Sequence, residues 1–445
     1  MSTKSVIDAD LERRRIATDA YVYLYPLVLM EITRRVSTNS PFSPTAARGP
    51  MGTLVHSRTY PLAQFKTVVR PNFDTLYSSG WLDLRPQPYV VSLPTVEDRF
   101  FMFPIYDMWT EIFASPGTRT HGTHALSFAI CERDWRGDLP SGVTRIDSPT
   151  PIVWMIGRVE TRGVDDYEYV HSLQDQMRLT PLSTWPNEVI PAFERDERID
   201  MKTPPMFQVE NLSARDFFLL ASELAALHPP HPTDWSMTAR LARTGFRVGE
   251  LFDIDQCDHD TRRAYEGAHA LANEMMRRRL SSIAPLVNGW SSIADMGVWG
   301  NSYLKRAMIA RMGLGANPQE ESIYPNLQRD NTNRALHGSS RYVLRFEANE
   351  LPPVDGFWSI TVYDEFGYQV ENELNRFALG DRDKLDFNAD GSLEILLSHH
   401  APETSSERNW LPVPETAFAV TMRLYLPKEE ALLATWRPPA ARRLE

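Results

Sequence analysis

The sequence predicts a mixed α and β, multidomain protein in which a β-sandwich, a helical middle domain and a second β-rich domain follow one another. Three observations carry this. At 445 residues the chain exceeds what one ordinary core accommodates. Short apolar runs with strand-like spacing fill about 65–160 and return in about 340–438. Between them, over about 164–312, the apolar period becomes helical.

Residues 8–36 read as one helix, with Asp8 and Asp10 as cap candidates and Ile16, Ala20, Tyr23, Leu24, Leu27 and Val28 on one face. Pro26 is expected to kink or restart it. The runs from Tyr89, Phe100, Leu126 and Ile152 alternate with Pro, Gly and Asp clusters, which predicts an antiparallel β-sandwich. Ser213-Ala214-Arg215-Asp216 resembles a capping box ahead of Phe217, Leu220, Ala221 and Leu224. Residues 258–284 and 300–312 predict two more helices. Phe418, Val420, Met422, Leu424 and Leu426 alternate with Thr421, Arg423 and Tyr425, the clearest strand signal in the chain. Leu393, Ile395 and Leu397 alternate likewise. The expected division is an N-terminal helix at 1–45, a sandwich at 46–162, helices at 163–335 and a second sandwich at 336–445. No low-complexity linker separates them, so they are expected to pack as one body. The final Leu444-Glu445 is left out of this reading.

The formal charge of −11 disfavours a nucleic-acid or anionic-membrane surface, which needs a basic stripe. Tyr21 to Met30 is too short an apolar patch to span a bilayer. Cys131 and Cys257 alone make no disulfide framework, and both read as reduced thiols of a cytoplasmic protein. Dinucleotide, phosphate-loop and nucleophile-elbow motifs are missing, so no cofactor is expected.

Two segments are unlike plain strands. One is Arg70-Pro71-Asn72-Phe73-Asp74-Thr75-Leu76-Tyr77; the other is Gly356-Phe357-Trp358-Ser359-Ile360-Thr361-Val362-Tyr363-Asp364. With Ala20 to Leu27, Asp107-Met108-Trp109, Gly117-Thr118-Arg119-Thr120, Asn388 to Ser392, Asn409-Trp410-Leu411-Pro412 and Arg423 to Lys428, they carry a resemblance over nearly the whole chain. The chain resembles bacterial proteins that pair domain of unknown function 1254 (N-terminal) with domain of unknown function 1214 (C-terminal). The resemblance implies an immunoglobulin-like first sandwich, a helical middle domain and a C-terminal jelly-roll. It implies no activity. His121 and His124 stand where the resemblance leads one to expect Thr and a small residue.

The candidate chemistry has two readings at each place. Asp74, Tyr77 and Asp107 are acid/base candidates, with Asn72 as an orienting amide and Arg70 or Arg119 as an anion clamp. The structural alternative is a polar knot, with Asp74 capping a turn, Arg70 paired with it and Asn72 fixing a loop, and an Arg119–Asp107 ion pair. Trp109, Trp358 and Trp410 offer ligand-binding aromatic surfaces, or are core; alternation puts Trp358 and Tyr363 on opposite faces. His121 and His124 have a metal-like spacing only if Gly122 forms a loop. His228-Pro229-Pro230-His231 reads as a helix end, and Asp390-Gly391 as a hairpin turn rather than a calcium loop.

Three functions follow. The first is an enzyme acting on a small aromatic or carboxylated molecule by hydrolysis or elimination in an interdomain pocket. The second is a non-catalytic small-molecule or carbohydrate binding protein. The third is a metal-dependent enzyme using His121 and His124. The expected partner is a small-molecule ligand, with no nucleic acid or membrane, and self-association is left open. Asp74 or Asn72 is expected to lie near Asp107 or Arg119, because both blocks fall at strand ends of one small sandwich.

Overall fold

The computed structural model describes residues 3–43, 48–61, 63–64, 69–280, 282–402 and 407–444. Helix Thr3–Thr38 is assigned without a break at Pro26. It is the central rod of the helical body, not a separate element. From Tyr21 to Met30 every side is buried against helices Pro205–Glu210, Ala214–Leu227, His259–Glu266, Ala268–Leu280 and Tyr303–Met312. The near-continuous apolar run explains this, because a helix that is hydrophobic all round must be covered all round. Asp8 and Asp10 lie inside it rather than at its cap. Ser213 does cap Ala214–Leu227, its Oγ accepting from Asp216 N at 3.0 Å. The stretch predicted as one helix over 258–284 divides at Gly267 into His259–Glu266 and Ala268–Leu280.

The first β-domain has two facing sheets. One has six strands: Val55–His56, Thr75–Asp83, Ile152–Glu160, Ile105–Tyr106 and Ile112–Ala114 in that order, with Phe101–Met102 also on Ile152–Glu160. The other has four, in the order Arg178–Pro181, Tyr89–Leu93, Leu126–Glu132, Thr144–Ser148. Pairing is antiparallel except between Leu126–Glu132 and Thr144–Ser148. Strand Arg178–Pro181 lies beyond residue 162, so the sandwich extends further along the chain than its sequence pattern indicates. Along Ile152–Glu160, Val153, Met155 and Val159 face the smaller sheet while Ile152 and Ile156 join the helical core. A strand covered on both sides follows from this layering.

The second β-domain repeats the six-and-four arrangement. Its larger sheet runs Trp290–Ser291, Asn326–Leu327, Phe418–Tyr425, Trp358–Asp364, Ala378–Gly380, with Ser322–Ile323 on Phe418–Tyr425. Its smaller sheet runs Trp410–Pro412, Leu393–Ser398, Arg341–Phe346, Arg442–Leu444. Leu444 pairs with Arg341 and so belongs to the fold; Glu445 lies outside the described residues. Trp358 faces the core between the sheets, and Tyr363 faces the other way, toward the first β-domain. Asp390-Gly391 is a turn, with Gly391 at φ +80° and Asp390 Oδ1 accepting from Ser392 N at 3.0 Å. Among the described residues no helix is long and apolar enough to cross a membrane.

Candidate functional site

The Arg70 to Tyr77 block is a seam between the two β-domains. Asn72 Oδ1 accepts from the N–H groups of Asp74 at 2.5 Å and Thr75 at 2.9 Å, which holds the strand entry in a tight turn. Its Nδ2 donates to Tyr425 OH at 2.9 Å. Asp74 is fully buried; Arg382 pairs with one carboxylate oxygen, and Ser359 Oγ donates to the other at 2.8 Å. Arg382 also donates to the carbonyls of Asp74 at 3.0 Å and Thr161 at 2.9 Å, and lies over Phe357. Arg70, at φ +53°, reaches the side chains of Asn326 and Thr421. Arg423 donates to Arg70 O at 3.1 Å and Tyr363 OH at 2.7 Å, and Tyr363 OH donates to Pro71 O at 2.6 Å. This is a closed network of the kind that fixes how two units dock, although Arg382 Nε is buried without a hydrogen-bond partner among the described residues. It leaves Asp74 no access to a substrate. Tyr77, half-buried, stands beside the Arg158 guanidinium.

Asp107 belongs to a different place. Tyr106 pairs with Trp154, whereas the Asp74 carbonyl accepts from Thr161 N. Trp154 and Thr161 are seven positions apart, a span of roughly 23 Å at the rise of an extended strand. Asp74 and Asn72 therefore do not lie near Asp107: strand ends cluster at both ends of a sandwich, and these two blocks use opposite ends. Arg119 falls toward the Asp74 end, because Thr118 Oγ1 accepts from Phe101 N and Phe101 pairs with Val159, next to the Thr75–Glu160 pair. Arg119 does not pair with Asp107 either: it donates to Glu321 at 2.9 Å, as does Ser115 Oγ at 3.0 Å.

Around Asp107 the chain makes a bulge and a tight turn, with Thr110 at φ +68°. Asp107 Oδ1 accepts from the N–H groups of Trp109 at 2.8 Å and Glu111 at 2.9 Å. Its Oδ2 lies 2.5 Å from His231 Nε2. A carboxylate has only acceptors to offer, so Nε2 carries the hydrogen and Nδ1 is the nitrogen that exchanges a proton. His231 Nδ1 is 3.9 Å from Asp234 Oδ2. Asp234 accepts from Tyr23 OH at 2.9 Å and Tyr303 OH at 2.8 Å. Arg306 is fully buried among the rings of Tyr23, Trp109 and Tyr303, each centred 5.2–5.4 Å from its guanidinium carbon. It donates to Tyr23 O at 3.2 Å, while its Nε and Nη1 have no partner among the described residues.

The electrostatics of this cluster are set by its charge count. Asp107, Asp234 and Glu111 place three carboxyl groups around one guanidinium, so the cluster leans negative and favours an imidazolium at His231. Burial opposes that charge on His231, but the hydrogen bond and charge of Asp107, followed by Asp234 and Glu111, outweigh burial and raise its pKa. Burial, followed by the charge of Asp107 acting against a bond from Trp299 N, raises that of Glu111. The side chains of Asp107 and Asp234 are 0% and 1% exposed, against 17% for His231. Histidine is thus the outlet of a buried anionic network. Tyr303 is the other partly exposed member, and Trp235, next in sequence to Asp234, is 73% exposed.

The remaining candidates fall elsewhere. Trp109 is fully buried, its Nε1 donating to the carbonyls of His228 and Pro229, and so supports the cluster from below. Trp358 is core, and Trp410 lines a cleft of the second β-domain. His121 and His124 are exposed at the end of a four-residue helix and after it. Among the described residues no group of three or more His, Cys, Asp or Glu is placed to hold a metal. Tyr23, Asp234, His231, Tyr303 and Arg306 are the cluster members that sequence reasoning did not assemble. Their one local signal is the pair His231 and Asp234, three positions apart in a proline-rich helix connection.

His228 gives a measurable consequence. It is fully buried with neither ring nitrogen hydrogen-bonded among the described residues, and burial holds its pKa down at about 4. His56 is likewise held at about 4, chiefly by burial. Folding keeps both rings neutral, so their contribution is complete above the unfolded value near 6.5 and is lost as pH falls from there toward 4. Urea midpoints measured from pH 7 to pH 4 should fall steeply, by roughly 3 kcal/mol for each histidine at the acid end. His228→Leu should flatten the curve.

Residues 51–181 match the family described as Protein of unknown function (DUF1254), and residues 321–429 match Protein of unknown function (DUF1214). The chain belongs to the proteins that pair these two domains in this order. It is similar to the VPA0106 protein of Vibrio parahaemolyticus, at 22% identity and a TM-score of 0.71 over 97% of this chain and 100% of that one, a likeness of fold alone. An uncharacterized protein from Burkholderia cenocepacia aligns at 12% identity and a TM-score of 0.46 over 99% of this chain and 95% of that one, too distant to carry an argument. No curated protein matches.

Proposed function

We propose that this protein is a cofactor-independent enzyme that acts on a small aromatic or carboxylated molecule by acid/base chemistry, hydrolysis or elimination, where the first β-domain meets the helical body. The observation that carries this is the 2.5 Å contact between His231 Nε2 and a fully buried Asp107, with the imidazole itself partly exposed. Asp107 fixes the tautomer and steadies the imidazolium, and Nδ1 gives or takes the proton. Asp234 holds the Tyr303 hydroxyl in place beside it. The imidazolium attracts a carboxylate, and exposed Trp235 supplies an aromatic surface. In this reading Asp74 is a structural residue and Asp107 a positioning residue. The two-sheet β-domains fit an immunoglobulin-like and a jelly-roll reading, and the two free cysteines fit a cytoplasmic location.

The test is a mixture of small aryl carboxylic acids, esters and amides incubated with the wild type and with His231→Gln, followed by mass spectrometry. At least one compound should be converted by the wild type and slowed in the variant while circular dichroism shows an unchanged fold. A mixture left untouched, or converted equally by both, contradicts the proposal.

A further inference from the structure

A cleft of about 700 Å³ opens in the second β-domain and shares no residue with the His231 cluster. One wall is the segment 364–377 that follows strand Trp358–Asp364; the other is formed by 399–401 and 410–416. Its apolar lining includes Trp410, Phe377, Val413, Pro412 and Pro414, with Phe366, 70% exposed, at the rim. The lining is held in place. Trp410 Nε1 donates to Ser398 O at 3.0 Å, and Phe377 packs on Phe73 of the first β-domain with ring centres 5.0 Å apart. Arg376 donates to the carbonyls of Glu407 at 2.6 Å and Trp410 at 2.9 Å, which ties one wall to the other.

Charge gives the cleft its sign. Glu365, Glu371, Glu373 and Glu415 line it, all exposed and without an ion-pair partner among the described residues. One carboxylate oxygen of Asp364, Oδ1, accepts from the N–H groups of Phe366 and Tyr368. Arg376 is the single guanidinium, already committed to backbone carbonyls, and His399 Nδ1 donates to Val413 O at 2.9 Å. Carboxylates whose only role is solubility need no concave apolar floor beneath them. In a cleft with low-dielectric walls their field is focused rather than dispersed. Aromatic faces and a carboxylate rim are together the chemistry that recognises an organic cation. The volume is that of a small-molecule site.

We infer that this cleft is a binding site for a small organic cation, an amine or quaternary ammonium carried on an aromatic or hydrocarbon body. Its charge preference is opposite to that of the His231 site, so the two are separable. Isothermal titration with phenethylammonium, with benzoate as the control of opposite charge, tests it on the full chain. The wild type should bind phenethylammonium saturably, and affinity should fall with rising salt. Glu371→Gln/Glu373→Gln/Glu415→Gln should weaken it by about tenfold, since rim charges contribute some tenths of a kcal/mol each. These exposed positions carry no packing, so the variant tests charge and not folding; Phe366→Ala, equally exposed, should weaken binding without altering its salt dependence. Absence of saturable binding, equal affinity in the triple variant, or displacement by benzoate overturns the inference.

Discussion

Replacing Asp74 with alanine is expected to destabilise the protein by about 3–5 kcal/mol, the usual result of removing one partner of a buried ion pair. The pair is Asp74 with Arg382, whose side chains are 0% and 13% exposed. Without the carboxylate, Arg382 keeps only two backbone carbonyls, and Ser359 Oγ loses its acceptor. Because the pair joins the two β-domains, the loss should appear as earlier release of the second domain in urea, followed by limited proteolysis between them. Arg382→Met in the same chain should recover part of the loss, because both charges are then gone. A midpoint unchanged by Asp74→Ala would show that the seam does not hold the domains.

The other large effect is on turnover. Once a converted compound is in hand, His231→Gln should lower kcat by about 10²–10⁴-fold, the range of a lost acid/base group. Asp107→Asn should act through the imidazole: it removes the charge that favours the imidazolium and so moves the pH profile to lower pH. A merely structural Asp107 would lower activity evenly at all pH values. The two variants in one chain should cost little more than His231→Gln alone, as expected of residues that act as a unit.

The β-domains were legible where apolar and polar side chains alternate along a strand. Phe418–Tyr425 and Leu393–Ser398 show it, although their polar-bearing faces are covered too. The pattern blurred where both covered sides are apolar. The apolar spacing of Thr3–Thr38 suggests a one-faced helix, although neighbours cover it on all sides from Tyr21 to Met30. The Arg70 to Tyr77 block was visible as something other than a strand, and a polar knot forms there, but with Arg382 and not Arg70 paired to Asp74. Its partner Arg382 was not visible. It sits in the charged turn Asp381-Arg382-Asp383, which local pattern cannot distinguish from a solvated loop. The same holds for His231: a histidine between prolines at a helix end has no periodicity that points to Asp107, 124 positions away.

The most direct measurement is the proton affinity of His231, followed by NMR of the ring-labelled imidazole in the wild type and in Asp107→Asn. A buried anionic network closed by an imidazolium requires His231 to titrate above the ordinary histidine value of about 6.5. It also requires that value to fall when Asp107 is neutralised. The raised pKa makes the imidazolium a stabilising element that is present in full below the unfolded value and lost as pH rises through the folded one. A His231 that titrates at or below the ordinary value, or does not respond to Asp107→Asn, would contradict the account.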